Sequence, residues 1–149
     1  MITLNEALER LLSSIKTLDD VERISILQAD GRVLAQDVVS ALHVPPHDNS
    51  AMDGYAVRFA DVPAVGTALP VSQRIAAGTV GTPLQAGTAA RIFTGAPVPV
   101  GADAVVMQEE CILLDDGSVQ INALPQPNQN IRHAGEDVTR GAKVLLKGE

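Results

Sequence analysis

At the start of the chain the apolar positions follow a helical beat. Leu4, Leu8, Leu11, Leu12 and Ile15 share one face of a 3.6-residue period, and Thr3 followed by Glu6 is a capping-box pair. This predicts a helix from about Leu4 to Ile15. The beat then shortens. In ERISILQADGRVLAQDVVS the runs Ile24 to Leu27 and Val33 to Val39 flank Ala29-Asp30-Gly31, and an Asp-Gly pair between apolar runs predicts a β-hairpin. From Ala60 to Pro125, Gly66, Gly78, Gly81, Gly87, Gly95, Gly101 and Gly117 cut the chain into β-prone pieces: LPVSQRIA, AARIFT, ADAVVMQEECILL and SVQINAL. Short strands with frequent turns predict a small sandwich or barrel. The stretch ALPQPNQNIRHAGEDVTRGAKVLLKGE turns polar before an apolar patch at Val144 to Leu146, and reads as a return to another structural unit. Lys147-Gly148-Glu149 follows that patch with no helix or strand to continue it, so the sequence reads as a fragment of a longer protein.

Composition narrows the core and the partners. The 149 residues are 46% hydrophobic but only 2% aromatic, so the interior must be Val, Leu, Ile and Ala. A net charge of −7 and a pI near 4.8 argue against nucleic acid and anionic membrane, because both surfaces demand clustered Lys and Arg. The locally basic stretch Arg132 to Lys147 is too thin to change that. Cys111 alone cannot form an internal disulfide; it fits a reducing compartment and is expected in a strand of MQEECILL as a packed thiol. Asn5 and Glu6 stand where a leader's basic and apolar regions should begin, and no apolar run reaches membrane-spanning length, so a soluble, cytoplasmic protein is expected.

Candidate chemistry gathers in three places. PPHDNSAMDGYAV supplies Pro45, Pro46, Asp48, Asn49, Asp53 and Gly54 close together, with the chain's one tyrosine. A turn reading has Asp48, Asn49 and Ser50 bonding their own backbone and Gly54 supplying a positive φ. A site reading has Asp53 projecting from a tight loop to accept hydrogen bonds or approach a cation through water. In Thr94-Gly95-Ala96-Pro97, Pro97 and Pro99 enforce extended chain after a strand, while a Thr hydroxyl and an exposed Gly amide are able to hold an oxyanion. Gly135-Glu136-Asp137 reads either as a solvated turn or helix N-terminus, or as carboxylates beside the Arg132 guanidinium. His43, His47 and His133 fit no zinc spacing, and neither a phosphate-loop nor a nucleophile-elbow motif occurs.

Taken in order, PPHDNSAMDGYAV, RIFTGAPVPVGADAVVMQE and NIRHAGEDVTRGAKVL closely resemble the N-terminal part of the molybdopterin molybdenumtransferase family, the MoeA proteins and the gephyrin E domain. TLNEALERLL and VLAQDVVSALHVPP resemble it too, so the likeness spans essentially the whole chain. The resemblance implies an α+β fold: an elongated first domain from both chain ends, 1–44 plus 137–149, and an inserted β-rich, barrel-like domain over 45–136. It implies an α/β domain and a C-terminal domain beyond Glu149, a homodimer with its cleft between subunits, and a pterin-delivering adenylyltransferase as partner. The implied reaction inserts molybdate into adenylylated molybdopterin, releases AMP and uses Mg²⁺, whose ligands lie mostly outside this chain. The resemblance places catalytic roles on Asp53, Thr94 and Asp137, with Asn49, Ser50, Gly54, Gly95 and Glu136 as substrate-binding neighbours; metal ligands here are unknown. Alone, the fragment is expected to be inactive. A non-catalytic scaffold of the gephyrin kind, or an independent β-barrel binding module, are the alternatives.

Overall fold

The structure, a computed structural model, describes residues 2–16 and 20–149. Helix α1 spans Leu4–Ser14, and its N-terminus is closed as the sequence predicts: Thr3 accepts from the Glu6 amide at 3.3 Å while Glu6 accepts from the Thr3 amide at 2.7 Å. Such a box satisfies two orphan donors and is worth about 1 kcal/mol. The helix stops one residue short of the expected Ile15, which is extended.

The chain divides into two units, Met1–Asp37 with Leu146–Glu149, and Val38–Leu145. In the first, Leu34 exchanges backbone hydrogen bonds with Gly148 and Glu149, and the Lys147 amide donates to Asp37. The expected hairpin around Asp30-Gly31 does not form. The turn itself exists, with Gly31 at φ 75° and Arg32 N–H donating to Ala29 C=O. Ile26–Gln28, however, is a 3₁₀ turn started by Ser25, whose hydroxyl accepts from Leu27 N–H. With Ile26 and Leu27 exposed, no buried face sets a strand register, so the local capping bond decides the conformation.

In the second unit, β1 (Val38–Val39) pairs with β10 (Lys143–Leu145), and β2 (Asn49–Ser50) with β9 (Ile131–Arg132), both antiparallel. The main sheet holds β3 (Gly54–Val57), β4 (Thr67–Ile75), β5 (Ala89–Ile92), β6 (Ala104–Met107), β7 (Cys111–Leu113) and β8 (Ser118–Ile121) in the order β6-β3-β5-β4-β8-β7. It is an open, curled half-barrel, so the described residues are mostly sheet with one α-helix. Period-2 alternation builds a core on each face. Tyr55, Val57, Ala89, Ala104 and Val106 go to one cluster, and Ala56, Ala90, Ile92 and Val105 to the other. Central strands buried on both sides therefore read as continuous apolar runs. MQEECILL is not one strand: Met107 ends β6, Gln108–Glu110 is a 3₁₀ turn, and Cys111–Leu113 forms the separate strand β7. The half-buried Cys111 thiol is pushed up to about 11 by burial first and the Glu110 charge second, which keeps it protonated and inert near neutrality.

Candidate functional site

Gly54 opens β3 without a positive φ, contrary to the turn reading. It is needed because β6 passes so close that a Cβ would collide with the Val106 carbonyl oxygen. The residue before it, Asp53, is thereby held at the sheet's end, its carbonyl accepting from Gln108 N–H at 3.0 Å.

Asp53 Oδ1 accepts two hydrogen bonds from Thr94, one from the backbone N–H and one from the hydroxyl, both at 2.8 Å. These bonds, the backbone one first, hold the Asp53 carboxyl below its usual range, with the Arg91 charge contributing less. The oxyanion reading of Thr94 and Gly95 meets donors that are already engaged. The Thr94 amide and hydroxyl both serve Asp53, and the Gly95 amide donates to Ser50 C=O at 2.9 Å, so none of these donors remains for an anion.

Asn49 and Ser50 form the seam between loops. Ser50 N–H donates to Ala96 C=O, Asn49 bridges Pro97, and on the other side Asn49 and Ser50 stand opposite Arg132 and Ile131. The buried Ser50 hydroxyl bonds the Met52 backbone, as the turn reading expects. Asp48 does otherwise: it accepts from the Ala134 amide at 2.8 Å and meets His133 Nδ1 at 3.1 Å, a tie between distant segments. The Ala134 bond first, then His133, keeps its carboxyl below the ordinary value.

Arg132 closes the third loop, with Nη2 2.6 Å from Asp137 Oδ1 and Nε 3.5 Å from Glu136 Oε1. Asp137, chiefly, and Glu136 raise the Arg132 pKa. Glu136 and Asp137 start no helix; Val138 instead bridges Val44. The structure thus joins Asp53 directly to Thr94 and Asp137 to Arg132, with β2 between. Cavities of about 540 and 360 Å³ lie elsewhere, and neither is lined by Asp53, Thr94 or Asp137. Sequence reading missed Arg91, which donates to Gly54 C=O at 2.8 Å and Gln108 Oε1 at 2.6 Å. Its one signal was alternation, which puts Arg91 on Tyr55's face.

Among the described residues no group of three His, Cys, Asp or Glu side chains is placed to hold a metal. Asp137 and Glu136 are bound to Arg132 and one Asp53 oxygen to Thr94, so these residues alone do not fit Mg²⁺.

A curled sheet bearing three polar loops, of which the 48–53 loop is bonded to each of the other two, defines a β-rich domain presenting a loop-built site. Residues 2–149 match the family described as the MoeA N-terminal region (domain I and II), and the chain belongs to that family. It is 40% identical to a molybdopterin molybdenumtransferase of Haemophilus influenzae over 99% of this chain and 37% of that protein. It is 46% identical to molybdopterin molybdenumtransferase 2 of Mycobacterium tuberculosis over 85% of this chain and 32% of that one. The crystal structure of a molybdopterin biosynthesis moeA protein from Pyrococcus horikoshii superposes with a TM-score of 0.88 at 37% identity, covering 96% of this chain and 39% of that one. The chain therefore spans well under half the length of these relatives. Among the described residues no helix is long and apolar enough to cross a membrane.

Proposed function

We propose that this chain is the N-terminal two-domain part of a molybdenumtransferase that inserts molybdate into adenylylated molybdopterin, releasing AMP, in molybdenum cofactor biosynthesis. The family match across residues 2–149, together with the Asp53–Thr94 pair inside two of its characteristic loops, supports this reading most directly. The same reading assigns 1–44 with 137–149 to a first domain and 45–136 to an insertion, and places the reaction in a homodimer. Mg²⁺ and most pterin contacts come from the longer protein, so this part alone is inactive.

Within that reaction this chain positions and polarises. Thr94 keeps Asp53 ionised and fixes its rotamer, leaving Oδ2 to accept a hydrogen bond from the pterin or from an ordered water. Arg132 offsets one of the two negative charges of Glu136 and Asp137, so the wall facing an anionic precursor carries less negative charge than the two acids alone would give it. Asp53→Ala in the full-length protein, introduced into a strain lacking it, tests the reading: molybdoenzyme activity is expected to be lost with the protein still folded. Full activity would remove Asp53 from the site.

A further inference from the structure

Strand β4 carries a bulge beside β5. Val71 stands opposite Ala89 but Gln73 opposite Ala90, so one extra residue, Ser72, is accommodated. The consequence is that Arg74 stands opposite Arg91; an unbroken register from Val71 would place it opposite Ile92. β4 and β5 run parallel, and two like charges at matched positions of adjacent strands repel. Bulges recur next to ligand sites because they re-aim a side chain.

Both guanidiniums converge on one ring. Arg74 lies 4.4 Å and Arg91 4.5 Å from the centroid of Phe93. Among the described residues neither is ion-paired to a carboxylate, although the chain carries a net charge of −7. Arg91 is anchored by Gly54 C=O and Gln108, whereas the exposed Arg74 head lies over the ring. The two line an open cavity of about 540 Å³ with Tyr55, Ser72 and Gln73.

We propose that this cavity binds the phosphate group of a phosphate monoester between Arg74 and Arg91. A dianion matches the charge of two neighbouring cations and offsets their repulsion, with the exposed Arg74 guanidinium offering its planar donor fork and the anchored Arg91 contributing mainly charge. The site stands on the Arg74–Arg91 register and does not depend on the enzyme reading above.

The test is titration of the isotope-labelled 149-residue chain with inorganic phosphate and with glycerol phosphate, followed by backbone NMR, with glycerol as the uncharged control. Saturable shifts are expected at Ser72, Arg74, Arg91 and Phe93 with both phosphates and not with glycerol. Equal affinities assign binding to the phosphate group, and tighter glycerol phosphate binding adds the ester. Arg74→Ala should weaken binding at least about tenfold and Arg74→Lys less. Thermal melting gives a second readout: phosphate should raise the transition of the unsubstituted chain and leave that of Arg74→Ala unmoved. No saturable shift by about 10 mM phosphate, or equal affinity and equal stabilisation in Arg74→Ala, would overturn the proposal.

Discussion

Asp53 and Asp137 each have one oxygen bound at close range, but by opposite kinds of partner. Asp53 meets two neutral donors on Thr94, both at 2.8 Å, which preserve its charge and leave the other oxygen available. Asp137 meets the Arg132 guanidinium at 2.6 Å, which offsets its charge and ties the loop together. Similar loops in one seam therefore present two different chemistries: a poised carboxylate and a clamped one. The difference comes from the reach of Arg132, not from the acids, and it marks Asp53 as the stronger candidate for contact with substrate.

The comparison can be broken most forcefully at its hinge. Gly54→Ala drives a Cβ into the Val106 carbonyl and should destabilise the chain by about 3 kcal/mol, seen as a lower urea midpoint with unchanged slope. Wild-type stability would mean that β3 and β6 separate freely. Next, Asp53→Ala in the full-length protein should lower molybdate insertion by about a hundredfold, while Arg132→Gln should lower it less; the reverse order would make the clamped loop the reactive one. Thr94→Val removes one of the two bonds to Asp53 and should lower the urea midpoint, by less than Gly54→Ala does. Arg132→Gln, whose partners are about half exposed, should lower the urea midpoint least of these substitutions, and by less still in high salt.

The smallest effect is on pH dependence. The folded carboxyls of Asp53 and Asp48 lie below 3.8, so their contribution is present above that pH and lost as pH falls through their folded values. Asp53→Asn should flatten the acid limb of the stability curve, measured as the urea midpoint between about pH 2 and about pH 6. The opposite sign holds for Cys111. Its thiol rises from 9.0 to about 11 on folding, so its contribution is lost as pH climbs through that interval, and labelling by a thiol reagent at pH 8 should be slow until the chain unfolds.

Some of this was legible in order along the chain. Helix α1 depends on Thr3 and Glu6 and on a local period, and strands β4, β5 and β8 on alternation between glycines, so near neighbours carry the information. The site loops announced themselves by residue type. Their wiring did not: Asp48 bonds a residue 86 positions away, Thr94 one 41 positions away, and both looked like candidates for local turns or free donors. The hairpin around Asp30-Gly31 failed for the same reason, because turn chemistry is local but strand pairing needs a buried face.

What the amino-acid order determined by itself was the set of short-range conformations: a capped helix, short aliphatic strands, and three polar loops rich in residues with chemistry. What only the tertiary structure decided was which donors are spent and which charges are offset. Hydrogen bonds and ion pairs act over about 3 Å, and contacts at that range between distant segments exist only once the sheet has brought Asp53 to Thr94, Arg132 to its loop and Arg74 beside Arg91.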